Sequence, residues 1–266
     1  MNFLFTLILS SVTILKPLPV DIRCNSLTDD QMKKAIKALY PEVKEPRIKM
    51  VIETINTWAP VYRIEDKCAI IALIKEESTF HHIKGQTGEW GMLQAIPTES
   101  HTQQIALRYR CHKEDKFCRC PPDNKCSYHN LKGYHWWVPD IGYVKDGEYK
   151  VSAYKLRKFM ENNPRAALAI GIGELGFWKR RYEQTYKKTF WESFPKYHIY
   201  NMMKKYKVDN LTISYIKGWW KRMKTGLGDQ IWIVHHNYGG QLKISPIGRW
   251  YPIKFHQFYS KILEVI

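Results

Sequence analysis

The sequence predicts a mainly α-helical domain carrying a cysteine-rich loop and β insertion, and three observations support that expectation. Apolar residues recur at helical spacing over most of the chain, and capping residues and prolines mark where the segments end. One stretch, about residues 109–150, abandons that period for Cys, Pro, Gly, His and aromatic residues. A length of 266 residues is enough to bury a sizeable core, and no internal repeat or low-complexity linker divides it. The expected organisation is a hydrophobic leader over residues 1–23 followed by a single domain over residues 24–266.

The elements follow in order. Phe3 to Leu15 is an apolar run broken only by Thr and Ser, long enough for a secretory leader and short of a transmembrane helix. No Lys or Arg precedes it and no small-x-small cleavage site comes before Cys24, so a short uncleaved anchor or a strand of the fold is the alternative. Thr28-Asp29-Asp30 opens a first helix, which Pro41 stops. Pro46 opens a second, expected to run to about Trp58 before Pro60. A third is expected from about Asp66 to Ser78, and because Cys68 to Ile74 is apolar on every side it belongs in the middle of the fold.

Pro97 to about Arg108 forms a fourth helix. Within the insertion, Gly133 to Val138 and Lys145-Asp146-Gly147-Glu148 read as strand or hairpin material. Pro164 then opens a long helix through Trp178, in which Gly171, Gly173 and Gly176 permit the close approach of a neighbour. Further helical stretches are expected at Phe194 to Lys205, Ile213 to Met223, Ile231 to Gly239-Gly240 and Lys254 to Ile266.

Charge narrows the partners. With 42 Lys+Arg against 25 Asp+Glu, the net charge of +17 attracts polyanions. The basic residues are spread along the chain without a zinc-finger, RNA-binding or basic-zipper pattern, so no specific nucleic-acid partner is expected. Abundant Trp and Tyr suit either sugar stacking or core packing, and packing is the commoner use. Six cysteines agree with an exported, oxidised protein. Four of them, Cys111, Cys118, Cys120 and Cys126, crowd one segment near His112 and His129. Their spacing fits the paired knuckles of structural zinc sites poorly, which favours one or two disulfides pinning that loop, with connectivity open.

The candidate chemistry begins at Glu77. An acid at the end of a buried helix loses solvation and feels the negative helix terminus, both of which keep it protonated, as a general acid requires. Glu76 competes for the role, and periodicity does not separate the two. Ser78 offers a hydroxyl to orient the acid, Gly88 and Gly91 allow a tight return, and Gln94 offers an amide to the same groove.

With these residues in place, the chain resembles the soluble lytic transglycosylases, relatives of goose-type lysozyme. In that family a Glu-Ser pair ends a core helix and is followed by Gly, two residues, Gly-Leu-Met-Gln, two residues and Pro. Here the run is Gly88-Glu89-Trp90-Gly91-Met92-Leu93-Gln94-Ala95-Ile96-Pro97, with Leu and Met exchanged, a swap that conserves volume. Gly171-Ile172-Gly173-Glu174-Leu175 is similar to a downstream family helix, with Glu174 where Tyr is usual. His235-His236-Asn237-Tyr238-Gly239 is similar to an Ala-Tyr-Asn-Ala-Gly turn, with His236 in place of Tyr. Asn237 beside glycine also suits a helix C-cap, a compatible role.

The resemblance implies a lysozyme-like fold, Glu77 as the catalytic residue, and substrate contacts from Ser78, Gly91, Met92, Gln94, Glu174, His236, Asn237 and Tyr238. It implies cleavage of the β-1,4 link between N-acetylmuramic acid and N-acetylglucosamine, with no metal or organic cofactor. The implied partners are peptidoglycan glycan strands and an anionic wall surface, met by an exported monomer in the periplasm, cell envelope, extracellular space or a phage particle. Glu174 is either a second carboxylate in the groove, favouring hydrolysis, or an acid that is solvated or paired with Lys179 or Arg180. A hydrolytic muramidase and a catalytically silent wall-binding or assembly protein are the alternatives.

Overall fold

Thr28 starts the first helix with a reciprocal cap. Its hydroxyl accepts from the Gln31 N–H at 3.2 Å, and the Gln31 side chain accepts from the Thr28 N–H at 3.0 Å. The computed structural model describes residues 22–86, 88–113, 140–145, 148–184, 227, 230, 232–233 and 250–266. Helix α1 (Asp29–Leu39) ends just before Pro41, as expected. Helix α2 (Glu45–Val61) carries Pro46 in its first turn but runs past Trp58 and through Pro60. A proline this near the end leaves little helix beyond it to disrupt, and the backbone closes the terminus instead. Arg63 takes a left-handed φ of 57°, while the N–H groups of Arg63 and Ile64 bond the Pro60 and Ala59 carbonyls at 3.0 and 2.9 Å.

Helix α3 (Lys67–Ser78) is the centre of the packing, and Cys68 through Ile74 are all buried. Asp66 caps it, accepting from the Ala69 N–H at 2.9 Å. Packed around it are α1, α2, the short 3₁₀ segment Ile22–Asn25 and the C-terminal helix α7 (Trp250–Leu263). Helix α7 starts four residues before the expected Lys254. The disulfide Cys24–Cys68, with Cα atoms 5.3 Å apart, fastens the 3₁₀ segment to the first turn of α3. Tyr259 of α7 donates to Asp66 at 2.7 Å and Gln230 donates to the same carboxylate oxygen. Burial pushes the Asp66 carboxyl above its ordinary value, and these hydrogen bonds oppose that rise.

Helix α4 (Ser100–Lys113) begins three residues after Pro97, because a turn from Ile96 to Glu99 precedes it and Gln103 donates to the Pro97 carbonyl at 3.1 Å. Strands β1 (Gly142–Lys145) and β2 (Glu148–Val151) form the antiparallel hairpin expected around Asp146-Gly147. Helix α5 (Ala153–Asn162) was not anticipated. Its signals are local: Ser152 caps Lys155 N–H at 3.3 Å, and Leu156 and Met160 bury one face.

Helix α6 (Pro164–Arg181) packs on α2, α4 and α5. Its glycines do what their spacing promised. A Cβ on Gly176 would lie 2.7 Å from the Tyr62 carbonyl oxygen, and one on Gly173 would meet Ile105 of α4 and the Tyr62 ring. The described residues are thus mainly helical with one small sheet. No described helix is long and apolar enough to cross a membrane. Residues 1–21 of the expected leader, residues 133–138, 194–205 and 213–223, most of the segment from Ile231, and Cys118, Cys120 and Cys126 lie outside the described residues, as does the Cys111 side chain.

Candidate active site

Glu77 sits in the last turn of α3, half-buried, next to the buried Ser78. The helix is brought to a hard stop there. Thr79 and Phe80 both take left-handed backbone, at φ 52° and 61°, although neither is glycine. The Thr79 N–H bonds the Lys75 carbonyl at 3.0 Å, and the fully buried Phe80 ring anchors the reversal in the core. Left-handed geometry costs an L-residue about 1–2 kcal/mol, most for a β-branched one. Thr79→Gly is therefore expected to stabilise the protein by about 1 kcal/mol, after the entropy cost of glycine. Urea unfolding checks this, and a lower midpoint would show that the threonine side chain holds more than its backbone costs.

Ser78 turns its proton back into its own helix. Its hydroxyl donates back to the Ile74 carbonyl at 3.1 Å, the usual recourse of a buried serine in a helix.

The chain then folds back as a small bridged turn. Lys84 pairs with Trp90 and Trp90 with Ala95. The Trp90 and Ala95 backbones exchange hydrogen bonds at 2.9 and 3.1 Å, and the Gly91 N–H reaches the Ile83 carbonyl at 3.0 Å. Gly88 and Gly91 supply φ of 99° and 91°. Gly91 is also pressed on α6, where a Cβ would lie 3.0 Å from that of Ala167, and Leu93 packs against Gly171 one turn further on.

Gln94, itself left-handed at φ 51°, turns its side-chain nitrogen onto the Gly91 and Ile83 carbonyls. Its amide N–H therefore closes the turn, where the sequence suggested donors and acceptors pointed into the groove beside Glu77. Met92 is buried at 1% exposure and is a packing residue, because the bridged turn directs it into the core.

A lysine of α7 faces Glu76. The Glu76 side chain is only 8% exposed and lies 3.7 Å from Lys254 Nζ on α7. Burial, moderated by Lys254 and reinforced by the charge of Glu77, pushes its carboxyl up to about 7. As whole residues, Glu76 and Glu77 are both half-buried. Nothing local marks Glu76 as special; its setting depends on a helix far along the chain.

Glu174 is buried rather than solvated. It is 4% exposed between α6 and α4, where Thr102 donates to it and His101 Nε2 stands 3.7 Å away. The His101 ring stacks on Phe177 with centroids 4.6 Å apart, which fixes the imidazole beside the carboxyl. Lys179 faces Glu183 at 3.9 Å and Arg180 donates to the Tyr62 carbonyl at 3.0 Å. Glu174 thus braces α6 against α4, and the sequence held no periodic signal for His101 or Thr102 as its neighbours. His236, Asn237 and Tyr238 lie outside the described residues. No protein-family model, curated protein or solved structure matches this chain.

Proposed function

We propose that this chain is a peptidoglycan lytic transglycosylase of lysozyme-like fold, with Glu77 acting first as acid and then as base. The observation that carries the reading is local. An acid ends a buried helix, a strained reversal stops that helix at once, and a glycine turn closed by Gln94 follows and packs on α6. Rigid placement of one proton donor is what cleavage of a glycosidic bond requires.

In the proposed reaction the Glu77 carboxyl gives its proton to the leaving O4 of N-acetylglucosamine as the C1–O4 bond of the muramyl residue breaks. The substrate's own N-acetyl oxygen covers C1 during departure. Glu77, now a carboxylate, takes the proton from the muramyl 6-hydroxyl as O6 bonds to C1, giving a 1,6-anhydro end and restoring the acid. One carboxyl suffices, whereas hydrolysis ordinarily employs two. The engagement of Glu174 with Thr102 and His101 supports the one-acid form.

The net charge of +17 favours a polyanionic wall as partner, and the Cys24–Cys68 disulfide favours an oxidising, exported setting. Mass spectrometry of fragments released from purified sacculi tests the assignment. Anhydromuramyl ends are expected. Reducing ends would make the protein a hydrolytic muramidase, and no release at all would leave a silent wall-binding protein.

A further inference from the structure

We infer that the β1–β2 hairpin and α5 form a surface that holds the carboxylate-bearing wall glycan, with sugar rings stacked on Tyr143 and Tyr154 and acids paired with the cation beside each ring. The inference rests on the wall-glycan reading given above. Tyr143 is 47% exposed and Tyr154 is 62% exposed. Among the described residues they are the only exposed Phe, Trp or Tyr, and the other described rings are buried or half-buried.

The pattern of the two elements turns both rings outward. Strand alternation buries Gly142 and exposes Tyr143. Across the ladder Val151 packs on the core, while Lys150, paired directly with Tyr143, faces solvent. Lys145 lies on the same face as Tyr143 and is exposed as well. In α5, Leu156 and Met160 bury one stripe and leave Tyr154 outside it. The Arg157 guanidinium stands 5.3 Å from the centre of the Tyr154 ring. Each ring thus has a cation beside it.

Hydrogen bonds fasten the two elements into one unit. Only Ser152 separates β2 from α5, and its N–H bonds the Ile141 carbonyl at 2.9 Å. Lys155 Nζ donates to the Gly142 carbonyl at 3.1 Å. Gly142 and Lys155 are the chain neighbours of Tyr143 and Tyr154, so this bond sets the two rings on adjoining surface. A phenol ring offers a flat apolar face to a sugar while its hydroxyl stays in water. An acid on the same sugar then meets the neighbouring cation. Single-stranded nucleic acid calls instead for a continuous cationic track along its backbone. Lys158 is held by Glu161 at 2.9 Å, which interrupts such a track.

The experiment measures retention on purified sacculi, stripped of phosphate-bearing polymers, by sedimentation in the Glu77→Gln background so that the wall is not consumed. Tyr143→Ala with Tyr154→Ala should raise the apparent Kd about fivefold or more, and Tyr143→Phe with Tyr154→Phe should leave it within about twofold. Lys150→Met with Arg157→Met should raise Kd at low salt and flatten its salt dependence. Lys34→Met with Lys49→Met removes as much charge from exposed positions on α1 and α2 and should change Kd by less than about twofold. An equal loss in that control would make net charge the attraction and overturn the proposal. So would full retention of the alanine pair, no retention of the Glu77→Gln parent, or binding to polyuridylate that is tighter than to sacculi and lost in the same variants. A wild type that releases no fragments fails the functional reading, yet retention on sacculi still decides this one.

Discussion

Glu77→Gln is expected to slow the release of fragments from purified sacculi by about 10²–10⁴-fold, the range a positioned general acid contributes. The amide keeps the size and polarity of the acid but has no proton of suitable acidity to give the leaving oxygen. In the one-acid scheme it also cannot take the proton of the 6-hydroxyl, so both halves of the reaction fail together. Because Glu77 sits half-buried at a helix end, the substitution should leave the thermal midpoint within a few degrees of wild type. That separation is the useful part of the experiment: activity falls while the fold stays. Cleavage at the wild-type rate would remove Glu77 from the mechanism. A small loss, with reducing ends among the products, would point to a second carboxyl and to hydrolysis.

How far the sequence foretold this site depends on how local each signal was. The helix start at Thr28, the all-round burial of Cys68 to Ile74 and the glycines of α6 were legible, because each depends on residues a turn or two away. The position of Glu77 at the end of α3 was legible for the same reason. The roles of Met92 and Gln94 were not. Both hang on the direction in which a left-handed turn projects its side chains, and the Gly91 contact with Ala167 on α6 helps hold that turn. Glu174 looked like a surface acid or a second catalyst because nothing in its own helix announces Thr102 and His101 across the α4 interface. Pro60 misled in the opposite sense. Its rule is sound for helix interiors, but the terminal backbone bonds at Arg63 and Ile64 carried the helix past it.

The disulfide was the least legible feature and supplies the second large effect. Crowding of four cysteines suggests bridges within the insertion, where those side chains lie outside the described residues; the described bridge joins Cys24 to Cys68, both fully buried. It closes a loop with a sequence separation of 44 and ties the 3₁₀ segment to the helix that carries Glu77 in its last turn. Loop-closure entropy alone makes such a bond worth about 4 kcal/mol in the chain-entropy account. The double substitution Cys24→Ala, Cys68→Ala also removes two buried sulfurs beside the Asp66 carboxylate and the Tyr259 hydroxyl, which lies 3.6 Å from Cys24 Sγ.

Loss of the bond should therefore loosen the cap of α3 and its union with α7 together. The expected result is a fall in thermal midpoint on the order of 10 °C. The drop should be largest without reductant and should vanish when both proteins are compared fully reduced, apart from the packing cost of the alanines. Sacculus cleavage well below the melting range should survive, since neither sulfur is near the end of α3 that carries Glu77. A midpoint unchanged in the oxidised protein would mean that the Asp66–Tyr259 contact and the apolar core hold α7 on α3 without the covalent bond.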